Sequence, residues 1–224
     1  MLFNSYIFIF LFLPITLLGF HILGKRGHYR LTISWLVGAS LFFYGWWNPI
    51  YIGLIVGSVL FNYTFGFLLL AKPHKLLLSL GIIGNLGTLG YFKYANFFIN
   101  NINSLISSNI ILEQIILPLG ISFFTFQQIT YLVDTYLGKT KEHNFLRYCL
   151  FVTFFPQLIA GPIVHHKNMM PQFAKNLLSG LKPNNLASGF TIFSIGLFKK
   201  VILADGIAIS ATPLFEAAEL GVDL

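Results

Sequence analysis

Seven apolar runs divide this sequence: residues 2–23, 31–47, 49–71, 76–92, 115–137, 145–164 and 186–204. A helix needs about 20 mainly apolar residues to cross the hydrocarbon core of a bilayer, and the chain reaches or approaches that length repeatedly. Only 9% of the 224 residues are charged while 56% are hydrophobic, against roughly 25% charged in soluble domains. Too few charges remain to build a water-facing surface, so lipid must solvate much of the outside. The expected fold is all-α: a polytopic transmembrane helical bundle. Connections are short and no internal repeat or linker interrupts them, so residues 1–224 form one domain or part of one.

The net charge of +7 does not point to nucleic acid, because the basic residues are spread between the apolar runs. Lys25, Arg26 and Arg30, then Lys72 and Lys75, then Lys139, Lys141 and Arg147 form three clusters. With Met1 outside, all three fall inside the cell, and the two outer connections hold Lys93 alone. That asymmetry follows the positive-inside rule. The one cysteine, Cys149, excludes an internal disulfide. No basic residue precedes the first run and no small-residue cleavage site follows it, so it reads as a retained span and not a signal peptide.

Alternation fails at residues 145–164, which contain Pro156, Gly161 and Pro162. Proline removes a backbone donor and breaks a helix interior, and in lipid the freed carbonyls need partners within the protein. A re-entrant hairpin that dips into the bundle and returns to the cytoplasm is expected here, the alternative being a kinked span. Beyond it, Met170, Phe173, Leu177, Leu178 and Leu181 recur at helical spacing with Pro171 suited to a first turn, the pattern of an amphipathic helix lying in the interface. Residues 96–108 invite the same reading on the other side. The aromatic turn Tyr44–Pro49 reads as an interfacial belt.

Polar residues gather inside 115–137. Gln127, Tyr131 and Asp134 stand at i, i+4 and i+7 on one helical face, with Gln128 and Thr135 beside them. A carboxylate in a span faces protein or water, so this face points into the bundle, unless Asp134 pairs with Lys139 or Arg147 at the headgroups. His165 and His166 are weaker candidates, with no carboxylate near in sequence, and read as solvated loop histidines. No metal site, phosphate loop or catalytic triad is present. Gly81, Gly84, Gly87 and Gly90 read as a close-packing stripe.

The stretch from Leu117 to Gln127 (LPLGISFFTFQ), followed by Tyr131 and Asp134, closely resembles the membrane-bound O-acyltransferase (MBOAT) family, as does the stretch from Phe155 to Ile163 (FPQLIAGPI). Within that family the chain looks like the branch of alginate O-acetyltransferases and teichoic acid D-alanyl transfer proteins, which FFYGWWNP at residues 42–49 also fits. The resemblance covers essentially the whole chain. It implies transfer of an acyl group, acetyl foremost, from a cytoplasmic thioester to hydroxyls of an exported polysaccharide. The thioester, acetyl-coenzyme A or an acyl-carrier protein, is a co-substrate, and no bound cofactor is expected.

It also implies a multi-pass location in the inner membrane and a tunnel with Gln127, Tyr131, Asp134, Pro156, Gln157, Gly161 and Pro162 as its candidate lining. Other polysaccharide-acetylation proteins are implied partners. Family members run to about twice this length, with their characteristic histidines in the second half. The chain is therefore expected to be the N-terminal half of such an enzyme, inactive alone, with no catalytic residue of its own. A non-catalytic scaffold or export component, or an unrelated transporter, stands as the alternative.

Overall fold

The computed structural model describes residues 1–106, 115–140, 142, 144–159, 161, 166–176 and 180–219. Among these, helices account for all regular structure. They are α1 (Leu13–Lys25), α2 (Tyr29–Gly45), α3 (Ile50–Ala71), α4 (Lys75–Ile106), α5 (Ile121–Tyr136), α6 (Phe145–Thr153), α7 (Phe155–Leu158), α8 (His166–Asn176), α9 (Pro183–Phe198) and α10 (Asp205–Glu219). A π-helical stretch, Phe8–Phe12, precedes α1, and another, Lys199–Ala204, joins α9 to α10. Pro14 has no N–H to donate into the turn before it. That turn widens instead, with Leu13 N–H reaching Phe8 O, as π-bulges do in kinked helices.

Among the described residues three helices are long and apolar enough to cross a membrane: Phe8–Lys25, Ile50–Ala71 and Lys75–Leu105. One expectation fails here. Residues 96–106 do not form a separate interfacial helix but continue α4 without a break, to 32 residues. That is about 48 Å at 1.5 Å per residue, well beyond the roughly 30 Å core. No glycine or proline lies between Gly90 and Ile106 to end it, and the lone Lys93 sits on its exposed surface.

The packing is inside-out for a soluble protein. Phe10, Phe67, Phe97 and Phe98 are exposed, while Thr32, Ser40, Asn62, Asn85, Gln127, Gln128 and Asp134 are buried. Lipid solvates the first set, and protein alone can satisfy the second. The main core joins α2, α3, α5, α6 and α8 through Tyr44, Ile55, Val59, Phe124, Leu132, Phe151 and Met169. A separate phenylalanine cluster, Phe8, Phe12, Phe43 and Phe155, ties α7 to the chain's N-terminal helix.

The glycine stripe of α4 divides in two. A Cβ on Gly81 or Gly84 would stand 2.8 Å from Leu132 or 2.6 Å from Phe61, whereas at Gly87 and Gly90 it would meet nothing within 4 Å. Only the first pair serves close packing.

Candidate functional site

The site is built on the break between α6 and α7. Helix α6 stops after nine residues, about 14 Å, where Phe154 turns to φ −52° and ψ 107° just before Phe155 and Pro156. In an unbroken helix the Phe155 N–H would donate to the Phe151 carbonyl. Here each half of that bond has found another partner. The Phe155 N–H donates to Ser40 Oγ of α2 at 3.2 Å, and the Phe151 carbonyl accepts from Gln127 Nε2 of α5 at 2.8 Å. Two polar side chains from neighbouring helices therefore hold the break open in a place where water is excluded.

Both ends of this segment lie at one end of the bundle. At the start of α6, Arg147 Nε donates to Tyr29 Oη beside the α1–α2 turn (2.6 Å). At the start of α8, His166 Nε2 stands 3.5 Å from Glu142 Oε2, on the connection that leads into α6. Further on, the Leu181 N–H donates to His21 Nδ1 near the same end of α1 (3.1 Å). The chain enters the bundle at residue 145, turns at Phe154 and returns by residue 166. This is the path of a re-entrant hairpin.

Helix α5 closes over the break. It begins at Gly120, whose φ of +69° suits glycine, and a Cβ there would lie 2.7 Å from the Leu158 carbonyl oxygen of α7. The two stretches that carry the family resemblance thus touch each other. Gln127, Tyr131 and Asp134 are 4%, 1% and 3% exposed, so these three side chains do point inward, while Phe123 and Phe126, nearer the start of the helix, are exposed. Tyr131 lies against Gly66 of α3, where a Cβ would come within 2.5 Å of its ring, and its ring packs 4.5 Å from that of Tyr148. Asp134 is buried at the end of α5 and its carbonyl accepts from Lys139 N.

The remaining candidates are less uniform. Pro156 is exposed, Gln157 and Gly161 are half-buried, and Pro162 and His165 lie outside the described residues. His166 corrects the reading of a solvated histidine. Its ring is 5% exposed and lies edge-on to Phe151 at 5.0 Å, with Tyr131 at 5.9 Å. A carboxylate distant in sequence is near in space: Glu142. Burial first, and then the Arg147 charge, push this imidazole down to about 4, against a smaller pull upward from Asp134. It is neutral at physiological pH. Pro171 stands a full turn into α8 and not in its first turn, with Met169, Met170 and Phe173 turned to the core.

Sequence reasoning missed the amides of α3 and α4. Asn62 and Asn85 exchange a reciprocal pair of hydrogen bonds, 3.0 and 2.6 Å. One turn away, Ser58 Oγ accepts from Gln128 Nε2 (3.0 Å), and Gln128 Oε1 accepts from Tyr148 Oη (3.2 Å). A polar seam thus crosses four helices, α3 to α6. A lone asparagine in each of two apolar runs was the available signal. Among the described residues no three His, Cys, Asp or Glu side chains gather as a metal site.

Comparison with known proteins fits this geometry. The model of the membrane-bound O-acyltransferase family matches residues 67–216. The peptidoglycan O-acetyltransferase of Helicobacter pylori is 46% identical over 93% of this chain and 45% of its own length. The probable alginate O-acetylase AlgI of Pseudomonas aeruginosa is 39% identical over 96% of this chain and 42% of its own. That of Azotobacter vinelandii is 36% identical over 98% and 44%. The chain therefore spans less than half the length of the curated relatives it matches. No solved structure matches it. The unrelated transporter is ruled out: the chain belongs to the membrane-bound O-acyltransferase family.

Proposed function

We propose that this chain forms the part of a membrane O-acyltransferase that shapes the substrate path, and that a further polypeptide segment supplies the catalytic base. The reaction moves an acetyl group from a cytoplasmic thioester to a hydroxyl of an exported cell-envelope polysaccharide. The hydroxyl oxygen attacks the thioester carbonyl, the C–S bond breaks, and the hydroxyl's proton ends on the released thiol. The single observation that carries the reading is the 46% identity to a peptidoglycan O-acetyltransferase along 93% of the chain.

The geometry supports a positioning role for this part. A helix broken in mid-bundle, clamped by Gln127 and Ser40, offers a polar turn where donor and acceptor can meet from opposite faces, as broken helices do at transporter sites. Gln127, Tyr131, Asp134, Gln157 and Gly161 are the proposed wall. The location is the inner membrane.

A chimaera tests this. This chain replaces the matching N-terminal part of the Helicobacter enzyme, and O-acetylation of peptidoglycan is measured in cells lacking the native protein. Restored acetylation is expected, as is its loss on Gln127→Leu, while the purified chain of 224 residues alone transfers nothing. A chimaera that inserts, is stable and remains inactive contradicts the proposal.

A further inference from the structure

A concave surface of about 430 Å³ lies between α1 and α2, and the proposed reaction makes no use of it. Ile7, Leu11 and Phe42 form its walls and are themselves exposed. Gly38 forms its floor, with nothing within 4 Å of where a Cβ would stand. Trp35 closes the inner end. Its indole lies flat on Gly19, where a Cβ would come within 2.3 Å of the ring, and its Nε1–H donates to the Thr16 carbonyl at 3.0 Å. The outer end is marked by Trp46, half exposed, in the aromatic turn where tryptophan marks the headgroup level.

The dimensions choose the occupant. From Trp35 to Trp46 the groove runs eleven residues of α2, about 16 Å. One leaflet of a roughly 30 Å hydrocarbon core is about 15 Å deep. A transmembrane helix would need a surface continuing through the second leaflet, and the fixed indole of Trp35 blocks it midway. A flexible chain that enters at the headgroups and ends at the midplane fits. We infer that this groove is a binding site for one acyl chain of a bilayer phospholipid, with its headgroup beside Trp46. The site is independent of the transfer reaction.

Tryptophan fluorescence tests it directly, because the chain has three tryptophans, two of them in this groove. In detergent, the Trp46→Phe/Trp47→Phe protein keeps Trp35 as its only emitter. Phosphatidylcholine brominated near the ends of its acyl chains is then added. Most of the Trp35 emission should be lost at stoichiometric lipid, with saturation, and Gly38→Leu, which fills the floor, should restore most of it. Should Gly38→Leu not fold, Gly38→Ala should give an intermediate loss. Quenching that rises linearly with lipid and ignores the substitutions would reduce the groove to bulk-lipid contact and overturn the inference. So would a Trp35 that no lipid quenches, which would mean that protein covers the groove.

Discussion

Helices α5 and α9 have the same length, and both are apolar enough to belong to a bilayer, yet they are opposites. Nine of the sixteen residues of α5 are buried, among them Thr125, Gln127, Gln128, Asp134 and Thr135. In α9, also sixteen residues, none is buried, and the same holds for the described side chains of α10, where Ile207, Ile209 and Phe215 are 67%, 78% and 73% exposed. Apolar side chains do not decide which helix goes inside a membrane protein, since lipid satisfies them as well as protein does. Polar groups decide it. The amides of α5 must reach partners: the carbonyl freed at the α6–α7 break takes Gln127, and Ser58 and Tyr148 take Gln128.

Substitutions can break that contrast. The largest effect is expected at Gly120→Val, which combines a left-handed conformation costing about 1–2 kcal/mol with a clash against the Leu158 carbonyl. The detergent-solubilised protein should lose its cooperative thermal transition. Next comes Gln127→Leu, which strands the Phe151 carbonyl; a buried unsatisfied group costs about 1–3 kcal/mol, seen as a lowered melting temperature. Asn62→Leu and Asn85→Leu should each cost a similar amount, and the double variant less than their sum, because no orphaned amide then remains. The smallest effect is expected at Ile207→Ala and Ile209→Ala, within about 0.5 kcal/mol in the isolated chain. A larger loss in the chimaera alone would show that α10 is covered there by the remaining segment.

The buried histidine sharpens the comparison through pH. The folded protein holds His166 neutral until about pH 4, while the unfolded chain protonates it near the ordinary 6.5. The unfolded state therefore binds more protons between those values, and stability falls as pH drops through that window and is level above it. His166→Gln should flatten that part of the acid limb relative to the parent, as read by thermal melts from pH 7 to about 4.

The sequence made the inward face of α5 legible because its polar residues repeat at i, i+4 and i+7, which a helix turns into one line. Pro156 likewise announced the break, since no helix interior accepts it without cost. His166 was not legible: its burial and its carboxylate come from the return of the chain to Glu142, a tertiary event with no local signature. Ser40 escaped notice for the same reason, as a single hydroxyl in an apolar run carries no pattern until the helix beside it breaks. The continuity of α4 was misjudged because amphipathic spacing marks an exposed helix without saying whether it lies flat or runs on.

The central claim, that the chain re-enters and leaves at the same end of the bundle, is tested most directly by cysteine accessibility. In a Cys149→Ser background, single cysteines at Arg26, Lys72 and Asn184, all exposed, are challenged with a membrane-impermeant maleimide in intact cells and in inside-out vesicles. All three should label in inside-out vesicles and none in intact cells. Labelling of Asn184→Cys from the side opposite to Arg26→Cys would make residues 145–164 a simple span and contradict the account.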